Sequence, residues 1–299
     1  MLLGVCALGQ SPPTAPSSQR EGDVPTFKVA VKLVSLYASV TDESGAPVTD
    51  LKKEDFAVLE DGNPEKIAIF EQESERPLSI LLALDTSGSV RKDIKVELRS
   101  AQRFVASILR PMDVLSLYQF NEIVSELVPF TSDKDRITRG INRVRLGAGT
   151  ALYDAIYLGG LSLAKREGRK VMVLITDGGD TLSSTDYHTA VRTAQQSEAI
   201  VYSIIMVPVV ANAGRELGGE HALIQLAHDT GGKHYYADSI DALETAFAQI
   251  SKELRTQYLL AYYPSRSRAA SDFRRVQIDI NKPGLQAHHR TGYYNSKIE

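Results

Sequence analysis

The sequence predicts an α/β chain: a doubly wound, mostly parallel sheet flanked by helices, joined to a β-rich, sandwich-like part. Three observations point there. Residues 80–84 and 170–176 are short, nearly unbroken apolar runs, each followed at once by a carboxylate, Asp85 and Asp177. Runs of that kind are strands covered on both faces, as in parallel sheets. The stretches between them carry apolar residues at helical spacing, so strands alternate with helices, the rhythm of a layered α/β domain. Both flanks instead alternate apolar and polar residues with a period of two.

Taken in order, residues 1–9 are apolar, and a Pro/Ser/Gln-rich run follows from 10 to 19. The expectation is a signal-peptide core ending near Ala7-Leu8-Gly9, then a disordered lead-in, over residues 1–26. Secreted or periplasmic (cell-envelope) localisation follows from it. Cys6 raises the thought of a lipid anchor, but Val5 is a poor residue before such a cysteine. From Phe27 the pattern is β. Phe27, Val29, Val31 and Leu33 form one apolar set, then the phase slips to Val34, Leu36, Ala38 and Val40. A one-residue slip in a period of two implies a bulge or a change of face. Residues 56–60 and 66–70 read as two strands joined by Asp61-Gly62-Asn63-Pro64. Residues 27–76 are too short to make a sandwich alone.

The rhythm changes at Pro77. After the 80–84 strand, Ile94, Leu98, Ala101, Val105 and Ile108 mark one face of a helix that Pro111 closes. Strands at 114–120 and 123–129 are close enough for a hairpin. Helices are expected at 137–144, 151–165, 187–197 and 222–228. Further strands are expected at 170–176, 200–207 and 233–237. Ile240, Leu243, Phe247, Ile250 and Leu254 mark the last helix. Residues 77–256 therefore form the α/β domain. From 257 to 295 the pattern is β again, with Tyr258, Leu260 and Tyr262, then Val276, Ile278 and Ile280, in alternation. The expected arrangement is an α/β domain inserted into a β domain whose halves are 27–76 and 257–295. Two separate β appendages are the alternative.

Composition excludes little but excludes it firmly. The 299 residues are 43% hydrophobic and 24% charged, with a net charge of −3, which gives no reason to expect a nucleic-acid partner. One cysteine rules out an internal disulfide framework and a cysteine-based zinc site. No run reaches the roughly 20 apolar residues of a membrane span. Enzyme signatures are missing: there is no GxxxxGK[ST] loop, Ser87 is not in GxSxG, and His188, His221, His228, His234, His288 and His289 form no HExxH pair.

In doubly wound sheets, ligands sit beyond the carboxyl ends of the strands, where strand order reverses. Asp85 and Asp177 lie at such ends. Asp85, Ser87 and Ser89 alternate along a turn and can face one point, and Thr150 sits in a Gly-flanked loop. With Asp177 these make five oxygen groups, only two of them charged, which suit a hard cation, Mg²⁺ first, with Mn²⁺ or Ca²⁺ as alternatives. Two carboxylates leave a divalent site near neutral, so a ligand carboxylate can replace a water. Taken singly, Ser87 and Ser89 can cap the following helix and Asp85 a turn. Asp154 and Asp180 read as supporting or solvated groups, and Asp113 as the end of a turn. Tyr258, Tyr262, Tyr263, Tyr293 and Tyr294 read as β-domain core.

Asp85-Thr86-Ser87-Gly88-Ser89, Thr150 in GAGTALYDA and Asp177 in LITDGGD resemble the metal-ion-dependent adhesion site of von Willebrand factor A domains. The resemblance covers about residues 78–255. It implies a metal, usually Mg²⁺, at Asp85, Ser87, Ser89, Thr150 and Asp177, and a protein or peptide partner that supplies an acidic side chain. The flanking VTDESGAPVTDLKKEDFAVLEDG and QYLLAYYPS…GYY resemble bacterial VWFA-related proteins of the acidobacterial type. A non-enzymatic adhesion or scaffold module is the expectation. The alternative is a structural subunit of an envelope assembly whose metal only stabilises the fold.

Overall fold

The computed structural model describes residues 33–72, 76–88, 94–177, 179–207, 217–265 and 273–296. The N-terminal apolar run with Cys6, the lead-in, the alternation at 27–31 and Ser89 lie outside them. In chain order the elements are β1 (Val34–Thr41), β2 (Phe56–Glu60), β3 (Asn63–Glu65), β4 (Ile67–Glu71), β5 (Leu78–Asp85), α1 (Ile94–Ile108), β6 (Val114–Phe120) and β7 (Val124–Thr131). Then come α2 (Lys134–Ile141), α3 (Leu152–Ala164), β8 (Arg169–Thr176), α4 (Tyr187–Gln196), β9 (Ala199–Met206), α5 (Leu217–Thr230), β10 (His234–Ala237) and α6 (Ile240–Glu253). The chain ends with β11 (Tyr258–Tyr262), β12 (Phe273–Ile280), β13 (Gln286–His288) and β14 (Gly292–Tyr294).

The central sheet has the order β10-β9-β8-β5-β6-β7, parallel except for β7. All eight residues of β5 are buried. Their alternation serves both faces. Leu78, Ile80, Leu82 and Leu84 join the core under α1, α2 and α6, where Phe104 stacks on Phe247 at 4.4 Å. Leu81 and Ala83 join the core under α3, α4 and α5. That is why an unbroken apolar run was needed there. The chain leaves β5 for β6 on one side and returns to β8 on the other, so strand order reverses beside β5.

The flanking strands form two four-stranded antiparallel sheets, β13-β1-β11-β4 and β14-β12-β2-β3. Each mixes strands from before and after the α/β region: β1 pairs with β11, and β2 with β12. Leu36, Phe56, Val58, Tyr258, Leu260, Tyr262, Val276, Ile278 and Tyr293 share one core. Of the five tyrosines read as core, Tyr258, Tyr262 and Tyr293 are in it, whereas Tyr263 is 56% exposed. Glu60 is buried in the same core, where it pairs with Arg274 and accepts from the hydroxyls of Tyr262 and Tyr293, each at 2.7 Å. Burial and then Glu60 push both tyrosines well above the ordinary phenol range.

The structure corrects several expectations. The strands at 56–60 and 66–70 do not form one hairpin. The turn is only Asp61-Gly62, both at positive φ (50° and 78°), as a two-residue hairpin of right-handed twist requires. Asn63 and Pro64 already belong to β3, and the chain then crosses so that β4 pairs with β11 in the other sheet. The helix expected at 137–144 starts earlier because Asp133 caps it, accepting from Arg136 N at 2.9 Å. The helix expected at 222–228 runs over Leu217–Thr230. Asp113 does more than end a turn. It is fully buried, accepts from Leu78 N and Arg110 N, and pairs with Arg255 at 2.8 Å, fixing the start of β5. His289 is packed inside. Its Nε2 accepts from Ile278 N at 3.0 Å, and burial lowers its pKa.

A second buried polar group ties the two layers together. Glu253 at the end of α6 accepts from Ser39 of β1 and Tyr202 of β9, and pairs with Lys233 at 3.0 Å. The described residues fall within one compact unit.

Candidate metal centre

Parallel register sets the site. Leu84 pairs with Ile175, and Asp85 with Phe120. Asp85 therefore emerges beside Thr176, whose hydroxyl donates to Asp85 Oδ2 at 2.7 Å. Ser87 N donates to the other oxygen at 2.9 Å, closing a tight turn in which Asp85, Thr86 and Ser87 are all buried. Asp177 is the next residue after Thr176 and is half-buried.

The second loop is pinned to the first. Thr86 N donates to Phe120 O and Gly147 N to Thr86 O, both at 2.8 Å. Asn121 organises the junction. Its Nδ2 donates to Thr86 Oγ1 at 3.0 Å, and its carbonyl accepts from Ala151 N at 2.6 Å. A Cβ on Gly147 would lie 2.6 Å from Asn121 Cβ, so only glycine allows this approach. Thr150, 6% exposed, follows two residues after Ala148 and is held by the third loop. Its carbonyl accepts from Thr181 N and Leu182 N, and its own N–H donates to Thr181 Oγ1 at 2.9 Å.

Asp154 and Asp180 lock these loops together. Asp154 accepts from Ser184 N and Thr185 N at 3.0 and 2.8 Å. Burial pushes its carboxyl up, but the bonds from Thr185 and Ser184 outweigh that and lower it. Asp180 accepts from Tyr153 N and Ser183. Both carboxylates are engaged in holding backbone. Thr176 and Asn121 were not singled out from sequence. Thr176 was the final residue of an apolar strand, and Asn121 a turn residue with no motif to mark it.

The three loops that bear Asp85 and Ser87, Thr150, and Asp177 are thus cross-linked beside the point where strand order reverses. Burial pushes the Asp85 carboxyl up to about 6; Thr176 and Ser87 pull it down, and the charge of Asp177 pushes it up again. The charge that acts most on this buried acid is therefore a second negative one. Hydroxyl and carboxylate oxygens in that balance fit a hard divalent cation. Among the described residues no cluster of three or more His, Cys, Asp or Glu side chains could hold a metal, so a centre here needs hydroxyl oxygens as well.

Residues 80–179 match the family model described as von Willebrand factor type A domain. The match does not reach the flanking β segments. No curated protein matches the chain. Among solved structures, proximal thread matrix protein 1 from the mussel byssus aligns with a TM-score of 0.53 at 15% identity, over 66% of this chain and 51% of that one. The pilus adhesin SpaC from Lactobacillus rhamnosus GG aligns with a TM-score of 0.51 at 12% identity, over 79% of this chain and 47% of that one. BatB from Bacteroides thetaiotaomicron, a conserved hypothetical protein, is 20% identical over 60% of this chain and all of its own, with a TM-score of 0.48. The chain spans about half the length of the first two. At these identities the likeness to solved structures concerns the fold alone; it is residues 80–179, spanning β5 to β8, that carry the match to a von Willebrand factor type A domain.

Proposed function

We propose that the chain is a protein-binding module of adhesion or scaffold type, acting outside the cell or in its envelope. Its α/β domain holds Mg²⁺ (or Mn²⁺ or Ca²⁺) through Asp85, Ser87, Thr150 and Asp177, and through Ser89, which lies outside the described residues. The ion supplies an open coordination position for an acidic side chain of a protein or peptide partner. The observation that supports this reading is the cross-linking, at the strand-order switch, of the three loops that bear these residues. The protein's own residues do the positioning: Thr176 and Ser87 N orient Asp85, while Asn121, Asp154 and Asp180 set the loop that bears Thr150. The likeness to a pilus adhesin supports the setting. Among the described residues no helix is long and apolar enough to cross a membrane.

The test is capture from a native envelope or extracellular fraction on the immobilised full chain, in Mg²⁺ and in EDTA. Partners retained in Mg²⁺ and released by EDTA are expected. Partners held equally in both would favour a constitutive assembly subunit in which metal only stabilises the fold.

A further inference from the structure

A cleft of about 360 Å³ opens at the end of the central sheet opposite the candidate metal centre. Lys233, just before β10, and Glu253 and Thr256, at and after the end of α6, form one wall. β1 and the turn that follows it form the other. None of the lining falls within residues 80–179. The volume is in the range of small-molecule sites, which concentrate where two layers or domains meet. The turn is a fixed wall. Asp42 Oδ1 accepts from Ser44 N and Ala46 N, each at 2.9 Å, and Val48 N donates to Val40 O at 2.8 Å. Val40, Ala46 and Pro47 give this wall its apolar part.

The polar groups of the cleft define what fits it. Its charged lining residues are Lys233, Lys252 and Glu253, a surplus of one positive charge. Glu253 is 5% exposed and its oxygens are already spent. Oε1 accepts from Ser39 Oγ at 2.9 Å and Tyr202 Oη at 3.1 Å, and Oε2 pairs with Lys233 at 3.0 Å. The Tyr235 hydroxyl bonds to the same carboxylate. Thr256 Oγ1 donates to the carbonyls of Lys252 and Glu253 at 3.2 and 3.3 Å. The hydroxyl hydrogens of Ser39, Tyr235 and Thr256 are therefore committed, and these groups face an occupant as acceptors. The ammonium groups have three protons each and face it as donors.

We propose that this cleft binds a small hydroxylated monocarboxylate, the chemistry of a sugar acid. Its carboxylate takes the surplus charge of Lys233 and Lys252, its hydroxyls donate to Ser39, Tyr235 and Thr256, and its carbon skeleton lies against Val40, Ala46 and Pro47. A neutral sugar leaves the surplus charge unmatched. Acetate leaves the hydroxyl oxygens without donors. Because the two walls belong to the β-rich part and the α/β domain, the ligand also clasps one to the other.

The experiment is isothermal titration calorimetry on the full chain with D-glucuronate, D-galacturonate, galactose, acetate and tetragalacturonate. It is run in EDTA, so that no cation at Asp85 recruits the carboxylate. At least one of the two sugar acids should bind saturably, about tenfold or more tightly than galactose or acetate, the scale of a hydrogen bond to a charged group. Lys252→Glu reverses the charge on one wall, and Ala46→Trp fills the cleft from the other; both residues are exposed. Each variant should keep the unliganded melting temperature and weaken binding about tenfold or more. Tetragalacturonate bound as tightly as the monomer marks a polysaccharide end as the source, and weaker binding marks the free acid. No saturable binding of either sugar acid at millimolar concentration, binding matched by acetate or galactose, or binding that survives either variant would overturn the proposal. None of these outcomes touches the metal reading.

Discussion

Asp85→Asn is expected to abolish the Mg²⁺-induced rise in melting temperature while leaving the metal-free protein as stable as wild type, or more so. The two halves of this result have one cause. Asp85 is a buried acid whose strongest charged neighbour is another acid. Without a cation, keeping it ionised is costly, because burial disfavours the charged form. Asparagine has nearly the same shape and no charge. Its Oδ1 can still accept from Ser87 N, and its Nδ2 can donate to Thr176 Oγ1. With a cation the balance reverses, since the lost carboxylate is one of only two charges offered to the ion. Differential scanning fluorimetry in EDTA and in Mg²⁺ or Mn²⁺ reads both halves. A variant that still responds to metal as wild type does would remove Asp85 from the centre. A variant that fails to fold in EDTA would mean that the charge itself is structural.

Glu60→Ala is expected to cost about 3–5 kcal/mol of unfolding free energy, the range for breaking a buried ion pair from one side. Glu60 is 2% exposed and Arg274 3%. Removing the glutamate takes a close anionic partner from a guanidinium that cannot lose its proton, with Asp61 at 3.8 Å, and takes the acceptor from two buried tyrosines. Arg274→Met should cost less, because Glu60 keeps the two tyrosine hydroxyls as donors. Urea denaturation of the three proteins gives the order directly. Equal losses in the two variants would show that lost packing, rather than an unpaired charge, sets the cost.

What the sequence made legible was local. The β5 and β8 runs declare strands buried on both faces, and their ends place Asp85 and Asp177 at the carboxyl edge, where register sets Asp85 beside Thr176, the residue before Asp177. The helical spacing from Ile94 to Ile108 survives intact in α1. The alternation of both flanks reads as strand, and β1 pairs with β11 and β2 with β12. What it hid was long-range. Nothing in Lys66-Ile67 says that the chain changes sheets there, because the partner of β4 lies about two hundred residues away in β11. Asp113 reads as a turn residue until Arg255 and Leu78 surround it. Asp154 and Asp180 have the composition of ligands, yet Asp154 accepts from the N–H groups of Ser184 and Thr185, and Asp180 from Tyr153 N and Ser183. Helix ends moved where a cap outranked apolar spacing, as at Asp133.

The most direct test of the proposed cation is an anomalous difference map from crystals of the full chain soaked in Mn²⁺. A single peak among the side-chain oxygens of Asp85, Ser87, Thr150 and Asp177, at the roughly 2 Å expected for a hard divalent ion on oxygen or bridged through water, is the expected result. No peak there at saturating Mn²⁺, or a peak at another cluster of acids, would contradict it.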